Sequence, residues 1–267
     1  MNSNSEEAKK YIKSQKTFKI KIVFAQIFVL IGFLLLWEFL SSKEIINSFL
    51  FSSPSAIFRL LKQYIVSGEL YKHIYISVYE TILGLIIGTS LGIIIAIILW
   101  WSKTLAKIMD PFLVVLNALP KTALAPIFII WAGTGVKGIV VVAVSISLIL
   151  TILSAYNYFN SIEDEKIKML KSFGANKWQI LYKLVIPANM VNLVNVIKIN
   201  IGMSWVGVIM GEFIVSRAGI GYLVVYGSQI FKLDLVMMGV LVLAIIAYIM
   251  YQIVNIIEKT LRKKLSK

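Results

Sequence analysis

Apolar runs and short basic segments alternate along the chain. Residues 82–101, 139–159 and 235–257 carry no charged side chain, and each is about as long as a helix that crosses the roughly 30 Å hydrocarbon core of a bilayer. Residues 23–40 are nearly as apolar, interrupted by Gln26 and Glu38. Residues 108–132 are broken by Pro120, Lys121 and Pro126, and residues 187–211 contain Lys198. The pattern predicts an all-α integral membrane protein with six transmembrane helices. Between the first two spans, residues 54–67 place Ile57, Leu60, Leu61, Tyr64 and Ile65 on one helical face, which predicts an amphipathic helix lying on the membrane or on the protein's own spans.

Composition supports this reading. Hydrophobic residues make up 59% of the 267 positions, against about 45–50% in soluble domains. The first apolar run has a basic flank but no small-residue cleavage site, so it reads as a retained span. With no cysteine and one histidine, His73, the chain offers no disulfide, thiolate metal site or histidine cluster.

The net charge of +14 first suggests nucleic acid, but its placement argues for topology. Lys9, Lys10, Lys13, Lys16, Lys19 and Lys21 precede the first span. Lys103 and Lys107 follow the second. Lys166, Lys168, Lys171, Lys177 and Lys183 lie between the fourth and fifth. Lys259, Arg262, Lys263, Lys264 and Lys267 follow the sixth. The positive-inside rule puts both termini and the 160–186 segment in the cytoplasm, and the charge then attracts anionic lipid rather than nucleic acid. The expected organisation is a basic tail (1–21) able to form an interfacial helix, the first span with its external loop (22–73), a continuous helical domain (74–258) and a basic tail (259–267). The second span repeats Gly84, Gly88, Gly92 and Ala96 at four-residue spacing, a strip that lets helices approach closely. Ser204, Gly207 and Gly211 form a similar set in the fifth.

The segment 161–187 reads SIEDEKIKMLKSFGANKWQILYKLVIP. Ser161 is the expected N-cap of a helix whose first turn holds Glu163, Asp164 and Glu165. Gly174 supplies the left-handed residue that ends it. Asn176 and Gln179 form a capping box for a second helix, and Pro187 marks entry to the next span. Two short helices joined at a glycine would project into the cytoplasm.

This segment resembles the "EAA" loop of binding-protein-dependent ABC importer permeases. Gly174, Ala175 and Pro187 match that pattern, while Lys168, Met169 and Leu170 stand in place of the E-A-A triplet. Glu165, one turn earlier, is expected to supply the missing acid. HIYISVYETILGLIIG from His73, DPFLVVLNALPKTALAPIFIIWAGTG from Asp110 and SWVGVIMGEFIVSRAGIGYL from Ser204 are similar to the nitrate, taurine and aliphatic-sulfonate branch. The resemblance implies a type I importer permease fold in a bacterial cell membrane. It implies two permease copies, two ATPase subunits that bind ATP and magnesium, and an extracellular binding protein. The coupling loop would then comprise Glu165, Lys168, Gly174, Ala175, Asn176, Lys177, Trp178 and Pro187. No phosphate-cradling G-x-x-x-x-G-K-[ST] motif occurs, so ATP is expected on a partner chain and no cofactor on this one.

Candidate translocation-path residues are Lys121, Asn195, Lys198, Ser204 and Glu212. The two lysines would attract an anion or pair structurally. Asn189, Asn192, Asn195 and Asn200 make the fifth span polar enough to face protein or a cavity. Glu212 would anchor a gate-like loop over 213–222, turned at Gly219 and Gly221, with Arg217 as an ion-pair partner. Glu80 and His73 read as interfacial, and Met203, Met210, Met237 and Met238 as core packing. An anion such as a sulfonate, taurine or nitrate is the expected solute, with a thiamine precursor or other small heterocycle as the alternative. A secondary transporter or channel would show inverted repeats or paired intramembrane carboxylates. A membrane enzyme would show a cluster of His, Asp and Glu.

Overall fold

The computed structural model describes residues 3–265, and every regular element among them is helical. The elements are α1 (Ser3–Ser42), α2 (Ser48–Phe51), α3 (Pro54–Val66), α4 (Glu69–Trp101), α5 (Lys103–Ala118), α6 (Ala125–Ala132), α7 (Val136–Asn160), α8 (Asp164–Ser172), α9 (Lys177–Ile180), a π-helical turn (Leu181–Val185), α10 (Ile186–Ala188), α11 (Met190–Val215), α12 (Ile220–Gln229) and α13 (Leu233–Leu265). The outermost residues of the two basic tails, at positions 1, 2, 266 and 267, lie outside the described residues.

The centre is built on the glycine strip of α4. A Cβ added at Gly84 would lie 2.7 Å from Ala143 Cβ, and one at Gly92 2.5 Å from Thr151 Cβ. One at Gly88 would run into Ser147 Oγ. Glycine therefore lets α4 sink against α7. This packing carries the association, because lipid supplies no hydrophobic drive between helices. The pairs 84/143, 88/147 and 92/151 advance together, so α4 and α7 are parallel. On α11, Gly207 meets Ala143 and Gly211 meets Ile139. That register runs backwards, so α11 is antiparallel to both.

Parallel neighbours require a return crossing, and residues 102–135 provide it. The third span is two helices rather than one. Pro111 sits inside α5. The chain then turns at 120–123, where Ala123 N–H donates to Pro120 O at 2.9 Å, and Pro126 opens α6. Ala106 and Leu113 of α5 pack with Leu99 and Ile152, and Ala125 and Ile129 of α6 pack with Val142 and Ile146. Among the described residues, five other helices, including α1, are long and apolar enough to cross a membrane unaided.

A second cluster joins α3, α11, α12 and α13 through Ile57, Leu60, Trp205, Leu223, Leu235 and Met238. The amphipathic α3 thus lies on the protein's own spans. Its N-cap Ser53 accepts from Ala56 N–H at 3.2 Å. Glu38, the acid that interrupts the first span, accepts from Ser55 N–H at 2.9 Å at the positive end of α3. The first part of the apolar stretch of α1 is exposed, Phe24 and Phe28 each at 71%, as suits a helix facing lipid, while Trp37 near its end packs against the α3–α13 cluster. Helix α1 runs unbroken through position 21, and α13 through 258, so the two tails continue the spans as helix.

Replacing Gly88 with leucine should destabilise the protein by about 1–3 kcal/mol through overpacking at α7. The same change at Gly32, which has nothing within 4 Å, should be nearly silent. Thermal unfolding of both variants in detergent checks this, and equal midpoints would contradict the packing account.

Candidate functional site

The loop between α7 and α11 is defined by its caps. Ser161 is the C-cap of α7, with its hydroxyl donating to Tyr158 O at 2.8 Å. It does not start α8, whose N-cap is Glu163. The expectation failed because α7 extends one residue past the apolar run, to Asn160. Helix α8 ends in a Schellman motif: Gly174 N–H donates to Lys171 O at 2.9 Å and Ala175 N–H to Leu170 O at 3.0 Å, with Gly174 at φ +80°. The expected capping box is present. Gln179 N–H donates to Asn176 Oδ1 at 2.9 Å, and Asn176 N–H donates to Gln179 Oε1 at 2.8 Å.

The loop is also tied to a span. Lys177 Nζ donates to Trp101 O at the end of α4 and sits 5.0 Å from the Trp101 ring centroid. Trp178 lies 4.6 Å from the same ring. Phe173, Trp178 and Tyr182 remain 80%, 65% and 76% exposed. Glu165 and Lys168 are exposed on α8. Pro187 lies in α10, just before the chain bends at Asn189 into α11.

At the opposite end of α4, Glu212 is 1% exposed. Its Oε1 accepts from Ser77 Oγ at 2.5 Å, and its Oε2 accepts from Gly221 N–H at 2.6 Å and Tyr222 N–H at 3.3 Å. Ser77 Oγ accepts from Ile220 N–H at 2.7 Å. Gly219 N–H donates to His73 Nδ1 at 3.0 Å, and the His73 ring stacks on Tyr222. The first amides of α12 are therefore capped by side chains of α4 and α11. A Cβ at Gly219, where φ is +119°, would collide with the Glu212 carboxyl.

The sequence expectations for this region need three corrections. Residues 213–222 are not one loop but the end of α11, a short turn and the start of α12. Arg217 is exposed and forms no ion pair with Glu212, because hydroxyl and amide donors already fill that carboxylate. Glu80 is buried, at 1% exposure, beside Glu212 rather than at a wet interface.

The remaining path candidates are spread apart. Lys121 Nζ donates to Asn117 O at 2.9 Å in the turn between α5 and α6. Lys198 pairs with Glu258 of α13 and donates to Asn255 Oδ1 at 2.9 Å. Ser204 is fully buried with no partner for its hydroxyl, while Asn195 is half-buried. Asn200 donates to Thr89 Oγ1 at 2.8 Å and Thr151 Oγ1 at 2.6 Å, which joins α11 to α4 and α7.

The family model described as "Binding-protein-dependent transport system inner membrane component" matches residues 88–267. The chain belongs to this family. SsuC of Bacillus subtilis (strain 168), a permease protein named for aliphatic sulfonates transport, is 29% identical over 232 residues, covering 85% of this chain and 83% of that protein. The taurine transport system permease protein TauC of Escherichia coli (strain K12) is 23% identical over 222 residues, 81% of each chain. An inward-facing structure of the MetNI methionine ABC transporter superposes with a TM-score of 0.66 at 16% identity, covering 73% of this chain and 96% of that one. The fold is that of a type I ABC importer permease.

In this permease, sequence reasoning missed Ser77 and the Lys177–Trp101 contact. Only the glycines around 219 hinted at the first, and nothing local at the second. Lys198→Met should lower the thermal midpoint by leaving Glu258 with Arg262 as its remaining cation. Adding Glu258→Met should recover much of the loss. If Lys198→Met melts normally but abolishes uptake, the lysine serves the path and not the α11–α13 contact.

Proposed function

We propose that two copies of this permease enclose a translocation path, that two ATPase subunits engage the 161–187 segments in the cytoplasm, and that an external binding protein delivers the solute. The observation that carries this reading is the twice-capped α8–α9 unit. It is rigid at its caps, tied to α4 through Lys177, and presents Phe173, Trp178 and Tyr182 to a partner. Exposed aromatics next to a charged loop mark a protein contact. The ATP chemistry belongs to the partner and the permease carries none. The basic residues of both tails and of 160–186 favour cytoplasmic placement of these segments. The solute we favour is a small anion of the sulfonate type, in keeping with the names of the relatives.

Gly174→Val tests the coupling role. An added Cβ there meets no neighbour within 4 Å, so the effect is conformational. A β-branched residue at φ +80° costs roughly 1–2 kcal/mol or more, which the loop relieves by bending differently. In reconstituted vesicles, solute-stimulated ATP hydrolysis and uptake should fall to background while the spans still insert. Lys121→Ala should leave ATPase assembly intact and alter transport alone. Normal transport by an assembled Gly174→Val complex would overturn the assignment.

Topology and stoichiometry have their own tests. Cysteines placed at Ser67 and Ser161, both exposed, should label from outside intact cells only at 67. Native mass spectrometry should find two copies of this permease per two ATPases.

A further inference from the structure

A cavity of about 340 Å³ lies between the ends of α4 and α7 and the α8–α9 unit. That volume falls in the range of small-molecule sites. Part of the lining is apolar: Phe159 of α7 and Ile180 of α9, both buried, are joined by Ile162 and Ile167. The rest is basic. Lys103 opens α5, Lys171 lies in the last turn of α8 and Lys177 opens α9, so three elements bring an ammonium group to one cavity. Lys177 is already committed to Trp101 O. Lys103 and Lys171 are exposed and take part in no ion pair among the described residues. Asp164 is the one acid on the wall, so three lysines stand against a single carboxylate. Like charges gathered in one cleft repel each other and concentrate anions there.

The position of the cavity narrows the ligand. It sits where α4 ends at Trp101 and α7 ends at Asn160, with Trp100 on its wall. Tryptophan and lysine at the end of a span mark the headgroup layer of a bilayer.

We propose that this cavity binds a phosphate-bearing anion, its phosphate held by Lys103 and Lys171 and its remainder set against Phe159, Ile162 and Ile180. An anionic phospholipid of the cytoplasmic leaflet has this chemistry. A soluble phosphate ester shares the charged group, but only the lipid also covers the apolar lining. The site goes beyond the importer reading and rests on its cytoplasmic placement of the loop. A ligand bridging Lys103 and Lys171 ties α5 to α8, and so restrains the loop in addition to its caps and the Lys177 contact.

The test uses the purified permease with its ATPase in detergent, titrated with phosphatidylglycerol, phosphatidylcholine and glycerophosphate and followed by native mass spectrometry. Phosphatidylglycerol should bind more tightly than phosphatidylcholine, whose headgroup carries a cation into the basic wall. Lys103→Gln combined with Lys171→Gln removes two exposed cations and should weaken phosphatidylglycerol by about tenfold or more, as for lost charge-assisted hydrogen bonds. Lys21→Gln combined with Lys259→Gln removes the same charge from exposed residues off the cavity and should leave that affinity unchanged. Displacement of phosphatidylglycerol by glycerophosphate at comparable concentration assigns the site to a soluble ester, and resistance to it assigns the site to lipid; both support a phosphate site. No binding of phosphatidylglycerol, equal affinity for the two lipids, or equal affinities in the two double variants overturns it. Binding is read on the permease whether or not an ATPase co-purifies, so a missing ATPase would sink the importer reading alone.

Discussion

The close approach of α4, α7 and α11 around Ala143 is the contact on which the rest of the structure hangs. Helices in lipid gain little by burying leucine against leucine, so they associate where small residues let backbones come near. Gly84, Gly88 and Gly92 on one side and Gly207 and Gly211 on the other grip α7 from two faces. That register fixes the directions of the three helices. It obliges residues 102–135 to recross the layer and sets the two ends of α4 beside different partners.

Those two ends hold the permease's distinctive features. At one, Trp101 receives Lys177 and lies against Trp178 of the capped loop. At the other, His73 and Ser77 hold the start of α12, beside the buried Glu80. One helix of 33 residues touches both. A displacement of the loop would therefore act on an element that also holds the start of α12. The small-residue seam stiffens that element, because packed helices shift as bodies rather than deform continuously.

The start of α12 shows how polar groups are managed at membrane depth. Irregular backbone there is tolerated only where protein or water satisfies it. The turn after Val215 leaves the amides of Ile220, Gly221 and Tyr222 without intrahelical partners. Ser77 and Glu212 accept from all three. Gly219 and Gly221 serve this arrangement through the space they leave for the Glu212 carboxyl, rather than through flexibility.

What the sequence determined by itself was local. Apolar runs of bilayer length predicted the spans, and Pro120 and Pro126 predicted the break in the third. Gly174, Asn176 and Gln179 predicted the caps of the loop, because a Schellman turn and a capping box each act within a few residues. The spacing of Gly84, Gly88 and Gly92 announced a close contact but not its partner. Tertiary structure decided the rest. Ser77 meets Glu212 across 135 residues, Lys177 meets Trp101 across 76, and Lys198 meets Glu258 across 60. A charged or polar side chain in a span must be satisfied, and the sequence states that need plainly. Which group satisfies it depends on how helices distant in the chain come to lie side by side, and that is set by packing that no local pattern records.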